Sequence, residues 1–247
     1  MENSVYIGLS KQVVLREQMS IIANNVANVN TPGFRAQNMV FTEFIENPRY
    51  MKEDISMVLD YGQYQMTDPG SLKETGNPLD IALVGNGFMG IQTPSGVQYT
   101  RAGNLTMDAN GALKNARGMA VANVDGGDII IPPNTKEIHI DRKGIVSTKD
   151  IFAAELAPIG QLLIAEFENY QELDPVGNGL YKTDAAPLPA EKTSVLQGKI
   201  EGSNVQAVVE MTRMIDVLRE YQAVQNMMQS EHERLRSSAQ RLAKTQA

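Results

Sequence analysis

The segment from Ser203 to Leu242 constrains the fold of this chain more than any other, because it contains neither proline nor glycine. Those two residues are the strongest interruptions of a helix, so the whole segment can be helical. Apolar residues follow the alternating spacing of three and four that keeps one helix face apolar, at Val208, Met211, Ile215 and Leu218. Since charged side chains crowd the other faces, the sequence predicts an amphipathic helix whose apolar face needs a partner.

The same face continues at intervals of seven, at Met228, Leu235 and Leu242. Ser203 and Asn204 are residue types that cap the first turn of a helix, and they mark its predicted start. A continuous helix of this length would extend for about 60 Å, at about 1.5 Å per residue.

A second amphipathic helix is predicted from Ser4 to Val29, where proline is absent and Gly8 is the one glycine. Its apolar positions repeat heptad spacing, at Leu15, Met19, Ile22, Val26 and Val29. We predict that this helix ends near Asn30, because Pro32 disfavours helix in the residue before it and Gly33 suits a turn.

Asparagines crowd the last turns of this N-terminal helix, although asparagine forms helices poorly and is costly to bury without hydrogen-bond partners. Two interpretations stay open. The helix end is either solvated and frayed, or its amides meet neighbouring chains and fix their register, as a buried asparagine does in a coiled coil. On the second interpretation, Asn24, Asn28 and Asn204 set the register.

Composition excludes several classes of function. The 247 residues carry a net charge of -7, which argues against general nucleic-acid binding, since phosphate contacts need a basic surface. The absence of cysteine excludes disulfides, thiolate metal sites and cysteine nucleophiles. The first residues lack the pattern of a cleaved signal peptide, and no apolar run reaches the roughly 18 residues of a membrane span.

The middle of the chain contains two regions that differ in composition. Residues 36–77 are interpreted as an extended connecting arm, in which Phe41, Phe44 and Ile45 could form a short helix that ends at Asn47 and Pro48. From Leu79 to about Lys192, turn sequences rich in glycine, asparagine and proline recur at short intervals. This spacing predicts hairpins in an antiparallel β domain.

Three patterns point weakly towards an enzyme or a metal site. The run Gly85–Gly90 matches the dinucleotide fingerprint in its glycines, but the residues after it include Pro94 and Gly96, so the helix that must hold the pyrophosphate cannot form. Asp108–Gly111 begins like a calcium loop and then lacks the required ligands, and a hairpin turn explains it better. His139 and His232 are the only histidines and lie in different regions, so we expect no catalytic residue, cofactor or metal.

Two long motifs near the ends of the chain resemble the signatures of the bacterial flagellar rod and hook proteins. The N-terminal motif runs from Ala23 to Arg35, and the C-terminal motif runs from Gln197 to Val205. Two shorter stretches, Asn77–Ala82 and Tyr99–Asn104, resemble the middle region that rod and hook members share. The resemblance therefore spans essentially the whole chain.

Length and the compact middle favour a rod subunit over the larger hook protein. The run Thr31–Gln37 and the short segment between Gln37 and Asn77 resemble proximal-rod members more than distal-rod members. The family implies axial subunits that pass through the flagellar type III export apparatus without a cleaved signal. It also implies that they stack into a helical tube, with terminal helices inside and the middle domain outside.

These observations predict an α+β fold, in which N- and C-terminal amphipathic helices pair as a coiled-coil-like assembly core, with a central antiparallel β-rich domain. The predicted segments are an N-terminal assembly helix and signature (1–35), the arm (36–77), the β domain (78–192), and the C-terminal signature with its long helix (193–247). A core of two paired helices buries few apolar side chains for the number of residues that it must order. We therefore expect both ends to be largely disordered in the free monomer and to fold against neighbouring chains.

The predicted function is that of a structural subunit of the proximal rod, in the basal body of the flagellum. It would assemble with itself and with homologous rod proteins into the helical shaft that transmits torque, and it would bind neither nucleic acid nor the membrane interior. The expected assembly interface comprises Leu15, Met19, Ile22, Asn24, Val26, Asn28, Thr31, Pro32, Gly33, Phe34, Glu201, Ser203, Asn204, Val205, Met211, Ile215, Leu218 and Met228. Alternatives left open are a distal-rod subunit, a protein that binds membrane surfaces through its amphipathic ends, and an enzyme.

Overall fold

The computed structural model describes residues 2–46, 55–152 and 155–245 of the chain. The chain forms two compact units. Unit 1 comprises residues 1–27, 37–66 and 206–247, and unit 2 comprises residues 28–36 and 67–205. Helices at both ends and strands between them confirm the α+β prediction at this level.

Unit 1 contains two long helices, α1 (Glu2–Ala27) and α2 (Ala207–Thr245). The predicted start of the C-terminal helix at Ser203 and Asn204 is wrong, because α2 begins at Ala207 and the Glu210 N–H donates to the carbonyl oxygen of Gln206 in its first turn. The Ser203 hydroxyl accepts the backbone N–H of Val205 at 3.2 Å, and the Asn204 amide binds backbone of other chain segments. The helix therefore begins only after these two residues.

The remainder of unit 1 is an antiparallel hairpin of β1 (Gln37–Glu46) and β2 (Ile55–Gln65), which pairs Gln37 with Gln65. The short helix considered for Phe41, Phe44 and Ile45 is wrong, since all three lie in β1. Aromatic and β-branched residues favour strands, and pairing with a second strand decides between two weak local preferences. The predicted stop at Asn47 and Pro48 lies outside the described residues.

Unit 2 is built from short strands, as the recurring turn sequences predict. They are β3 (Leu72–Glu74), β4 (Ile81–Val84), β5 (Phe88–Thr93), β6 (Gly96–Thr100), β7 (Leu105–Met107), β8 (Leu113–Asn115), β9 (Thr135–Ile140), β10 (Ile145–Asp150), β11 (Ala157–Gln161), β12 (Ile164–Glu166), β13 (Asp174–Gly177), β14 (Leu180–Lys182), β15 (Leu188–Pro189), β16 (Ser194–Gln197) and β17 (Lys199–Glu201). A single 3₁₀ turn, Tyr170–Glu172, is the only helical element within the described part of unit 2.

The largest sheet has the order β13-β14-β6-β5-β12-β15, and a second sheet has the order β11-β10-β9. All their pairings are antiparallel. Two-stranded pairs join distant parts of the chain: β16 pairs with β4, and β17 pairs with β3. The C-terminal signature is thereby bound to the start of the β-rich region.

Two apolar clusters form the core of unit 2. Among the described residues, the larger contains fourteen buried apolar side chains, including Ile81, Ile91, Val121 and Ile129. The smaller is aromatic, with the Phe88 and Tyr181 rings 5.6 Å apart in an edge-to-face arrangement. Such ring pairs add specific geometry to the area that they bury.

Candidate assembly site

A single carboxylate joins the sequence motifs near the two ends of the chain. Glu201, the last residue of β17, is 1% exposed. One of its oxygens accepts the backbone N–H of Gly70 at 3.1 Å and lies 2.8 Å from Nη2 of Arg35. The other oxygen lies 2.8 Å from both Nε and Nη2 of Arg101. We call Arg35, Arg101 and Glu201 the clamp.

Arg101 is the largest fully buried side chain described in the chain. Its guanidinium donates hydrogen bonds to the carbonyl oxygens of Leu83, Gly85 and Gly87, at 2.7, 2.9 and 2.7 Å. A Cβ at Gly87 would lie 2.7 Å from the hydroxyl oxygen of Thr193, so only glycine fits there. The glycine run that resembled a dinucleotide fingerprint thus presents its backbone to an arginine, and it leads into strand β5 rather than a helix.

Arg35 completes the clamp from the N-terminal motif. Its Nη1 donates to the carbonyl oxygens of Thr67 and Asp68. The pKa of Arg35 is lowered from its ordinary value. Burial is the main cause, and the neighbouring positive charge of Arg101 is the second. With two guanidinium groups against one carboxylate, the clamp relies on backbone carbonyl dipoles to balance its remaining charge.

Backbone contacts surround the clamp. The N–H of Gly33 donates to the carbonyl oxygen of Glu201 at 2.9 Å. Gly33 has φ +68°, and a Cβ there would lie 2.4 Å from the carbonyl carbon of Arg101. Both the left-handed backbone and the close approach therefore require glycine.

Asn204 forms three further hydrogen bonds in the region around the clamp. Its Oδ1 accepts the N–H of Ala36 at 2.7 Å, and its Nδ2 donates to the carbonyl oxygen of Asp68 at 2.9 Å. Its own N–H donates to the carbonyl oxygen of Phe34 at 3.3 Å. Three predicted site residues, Gly33, Phe34 and Asn204, thus lie together around Glu201.

Other predicted residues of the N-terminal motif form a local turn. The Thr31 hydroxyl donates to Oδ1 of Asn28 at 3.0 Å, and the Thr31 N–H donates to the Asn28 carbonyl oxygen. Pro32 follows in this turn and is half-buried. Asn24 lies on the exposed side of α1, and Val205 is buried.

In unit 1, α1 and α2 run antiparallel, because Lys11 pairs with Glu220 whereas Asn25 reaches Glu210. Their buried contact is formed by Leu15 and Ile22 of α1 with Val217 and Val224 of α2. Half-buried side chains extend this contact, which we call the seam: Met19, Val26, Met214, Tyr221 and Met228.

The predicted residues of α2 divide between two faces. Met228 belongs to the seam. Met211, Ile215 and Leu218 do not, and their side chains are 52%, 50% and 43% exposed. The helix therefore has a second apolar face that the described part of unit 1 leaves open.

Sequence reasoning missed a buried polar pair next to the seam. Asn25 is fully buried, and its amide donates to Oε2 of Glu210 at 3.1 Å. The same amide donates to the carbonyl oxygen of Gln37 and accepts its N–H, at 2.9 and 3.0 Å, as a neighbouring strand would. Glu210 is held in turn by Arg213 at 2.8 Å. The asparagine run was the available signal, but periodicity alone does not distinguish Asn25 from its neighbours.

The patterns that hinted at other chemistry form ordinary turns. One carboxylate oxygen of Asp108 accepts the N–H groups of Asn110 and Ala112, at 2.9 and 2.8 Å, in the turn between β7 and β8. Residues 2–46, 55–152 and 155–245 contain no cluster of three carboxylate or histidine side chains that could hold a metal ion. Within these ranges, no helix has a stretch long and apolar enough to cross a bilayer.

Three family models match the chain in order along the sequence. Residues 9–35 match "Flagella basal body rod protein", residues 82–148 match "Flagellar hook protein FlgE/F/G D1 domain", and residues 196–241 match "Flagellar basal body rod FlgEFG protein C-terminal". The first and third matches contain Arg35 and Glu201 respectively, and the second contains Arg101.

Similarity to individual proteins extends over nearly the full length. The flagellar basal-body rod protein FlgF of Caulobacter vibrioides is 34% identical over 249 residues, which cover 99% of both chains. FlgF of Mesorhizobium japonicum is 32% identical, with 92% of both chains covered. FlgG of Bacillus subtilis is 31% identical, with 90% of this chain and 92% of that protein covered.

Proposed function

Since the chain belongs to the flagellar basal-body rod proteins, and among them to the FlgF type, we propose that it binds neighbouring rod subunits through the open apolar face of α2. It is a structural subunit of the basal body and assembles with other rod subunits.

The observation that carries the proposal is an exposed apolar stripe on α2, which we define as Val208, Met211, Ile215 and Leu218. Their exposed fractions are 79%, 52%, 50% and 43%. The spacing of three, four and three keeps these side chains on one face. Each apolar side chain contributes up to about 1.5–3 kcal/mol of binding free energy when it is fully removed from water. The stripe is therefore a strong site for a protein partner.

The helix continues beyond Leu218 on the same side with Gln222, Gln225 and Gln229. These side chains are polar but uncharged, and a partner can cover them without desolvating a charge. Membrane-surface helices instead carry basic residues along the polar border of a wide apolar face. A narrow, uncharged stripe is better suited to another helix.

Helix α1 offers a second open surface in its first half. Tyr6, Leu9 and Val13 are 61%, 50% and 52% exposed, and their spacing of three and four places them on one side of α1. In our proposal each subunit contributes two such faces, so that the intramolecular seam and the intermolecular contacts together form a coiled-coil-like core. Asn24 and Asn28 remain proposed contacts for register between chains.

Among rod proteins, we favour a proximal-rod subunit, the FlgF type, over a distal-rod subunit, the FlgG type. The FlgF protein of Caulobacter vibrioides matches 99% of this chain at 34% identity, whereas the FlgG protein of Bacillus subtilis matches 90% at 31%. We further propose passage through the flagellar type III export apparatus, for which helices with a small shared core are suitable because they unfold at low cost.

The proposal predicts that Ile215→Asp abolishes incorporation into the rod. A carboxylate at the centre of the stripe must lose its hydration when a partner covers it, which should weaken the contact by more than about tenfold. The measurement is recovery of the variant in purified basal bodies from cells that lack the wild-type gene, together with swimming motility.

A matched control is Ala223→Asp, which places the same charge on an exposed position of α2, eight residues on and about 80° around the helix. We expect this control to assemble and swim normally. Circular dichroism of both purified variants should show unit 2 folded as in the wild type. Normal incorporation of Ile215→Asp would refute the assignment of the stripe.

A further inference from the structure

A small cleft in unit 2 is lined mainly by side chains that carry N–H donors. Its volume is about 250 Å³, which is below the usual range for pockets that hold drug-sized ligands. Four segments meet there: the N-terminal motif, the stretch between β6 and β7, the turn after β8, and the turn between β13 and β14. We call it the amide cleft and define it by Asn30, Asn104, Asn115, Arg117 and Asn178.

One amide of the cleft is buried and lacks a hydrogen-bond acceptor. Asn115, the last residue of β8, is 8% exposed. Its Oδ1 accepts the backbone N–H groups of Arg117 and Met119, both at 3.0 Å. Its Nδ2 donates to no atom of the residues that the structure describes. Since Oδ1 is held by the turn, Nδ2 is the polar atom that this side chain presents to the cleft. Buried N–H donors are costly to leave unpaired, so this donor indicates a site for an acceptor.

Further donors surround this buried amide. The side chains of Asn30, Asn104 and Asn178 form no hydrogen bond within residues 2–46, 55–152 and 155–245. In the same ranges, the exposed guanidinium of Arg117 forms no ion pair. No described Asp or Glu side chain lines the cleft. The cleft therefore offers one cation and several N–H groups to an incoming group that accepts hydrogen bonds.

We propose that the amide cleft binds a carboxylate group, with Arg117 as its counter-ion and Asn115 as its buried donor. The planar fork of a guanidinium matches the two oxygens of a carboxylate, and one cation balances its single charge. A phosphate group carries about −1.5 to −2 charges at neutral pH, which a single guanidinium does not balance. The carboxylate comes either from a small carboxylic acid or from an Asp or Glu side chain of another chain. Because the cleft belongs to unit 2, this inference does not depend on the stripe of α2.

The experiment titrates the full-length chain, labelled with ¹⁵N-asparagine and ¹⁵N-arginine, with glutamate capped at both ends as N-acetyl-glutamate N-methylamide. We expect saturable NMR shifts of the Asn115 side-chain amide and the Arg117 Nε–H at millimolar ligand. The equally capped glutamine has nearly the same shape but no charge, and it should bind at least about tenfold more weakly. Tighter binding of inorganic phosphate than of capped glutamate would overturn the choice of ligand.

Two variants test the assigned residues. Arg117→Gln removes the counter-ion, whereas Asn115→Asp keeps an acceptor oxygen for the turn and replaces the donor by a negatively charged oxygen. Both should abolish the ligand-induced shifts of the remaining cleft signals. The matched control is Arg142→Gln, which removes the same charge from an exposed position outside the cleft, and it should bind like the wild type. Unchanged binding by Arg117→Gln, or no saturable shift in the wild type, would overturn the proposal.

A second measurement identifies the source of the carboxylate. If it belongs to a neighbouring chain in the basal body, Arg117→Gln should lower incorporation several-fold, whereas Arg142→Gln should incorporate normally. If it belongs to a small acid, both variants should incorporate normally while the wild type still binds capped glutamate. Neither result affects the outcome for Ile215→Asp, so failure of this proposal is distinguishable from failure of the proposed function.

Discussion

Glu201 shows how much one side chain can contribute to the stability of a fold when it connects segments far apart in sequence. It binds Arg35 and Arg101, which are separated from it by well over half and by about two fifths of the chain. Hydrogen bonds between ionised groups are about twice as strong as neutral ones, but only where every charge keeps a partner. Removal of the carboxylate would leave two buried guanidinium groups facing each other.

We therefore predict that Glu201→Ala lowers the free energy of unfolding of unit 2 by about 3–5 kcal/mol, the usual range when one partner of a buried ion pair is lost. Glu201→Gln retains a hydrogen-bond acceptor and should cost less. The measurement is urea unfolding at pH 7 followed by circular dichroism.

Glu137→Ala serves as the reference, because the Glu137 side chain is exposed on β9, and it should change stability by no more than about 0.5 kcal/mol. If Glu201→Ala behaved like this reference, the clamp would have no stabilising role.

Single residues also mark the limit of prediction from this sequence. Gly33 and Glu201 fall within the recognised motifs, so their importance was predictable. Arg35 and Arg101 also fall within these motifs, but they were not identified as partners of Glu201, since an ion pair across such distances leaves no local pattern. Asn25 was hidden for another reason: its neighbours carry the same side chain, and only the packing of α1 decides which amide is buried.

Among the elements, α2 illustrates why heptad spacing can be correct and still ambiguous. The positions 208, 211, 215 and 218 and the positions 214, 217, 221, 224 and 228 both alternate by three and four. The second set is the seam, and the first set is the exposed stripe. Spacing predicts an apolar face, but it does not determine which of two faces a particular partner covers.

The short strands of unit 2 were predictable because turn residues delimit them, whereas the β1–β2 hairpin was not. Its ten- and eleven-residue strands lack frequent turn signals, and the chain there was interpreted as an irregular arm. Long strands that depend on each other for pairing are specified by tertiary context more than by local preference.

The aromatic cluster among these strands gives unit 2 a predicted sensitivity to alkali. Burial raises the pKa of Tyr99, Tyr170 and Tyr181 above the ordinary value. A raised pKa in the folded state means that stability is complete below the unfolded-state pKa of about 10 and falls as pH rises beyond it. We expect unit 2 to lose stability progressively above about pH 10, measured by urea unfolding at a series of pH values.

Tyr181→Phe should make this loss less steep, since one buried hydroxyl no longer ionises. The corresponding change at Tyr6, which is 61% exposed on α1, should leave the pH dependence of unit 2 unaltered. Identical profiles for Tyr181→Phe and the wild type would show that Tyr181 ionises without unfolding the strands around it.

In the whole molecule, the two units differ in the size of their cores. Among the side chains that the structure describes, the seam of unit 1 contains four that are buried and apolar, whereas the main cluster of unit 2 contains fourteen. Each buried side chain adds to the free energy that opposes opening, so unit 1 should open far more readily than unit 2. The α+β organisation was predictable from the sequence. The difference in core size between the two units was not, because it depends on which side chains pack together.

We predict that amide hydrogen exchange of the dilute monomer is fast in α1 and α2 and slow in β4, β5 and β6. Protection of the helices should increase after assembly, when neighbouring chains cover the stripe. Equal protection of helices and strands in the monomer would mean that the helices already have a sufficient core, and would contradict the expectation that they fold on assembly.

The clamp has a mechanical consequence for a subunit of a rotating shaft. Gly33, Gly70 and Glu201 belong to three segments that are bonded together at one point of unit 2. A tensile force on any one segment is distributed at once to the other two, and separation requires several strong bonds to rupture simultaneously. A strand peeled from a sheet edge yields one bond after another. We therefore expect unit 2 to resist extension at the point where these three segments meet, because their bonds share the load.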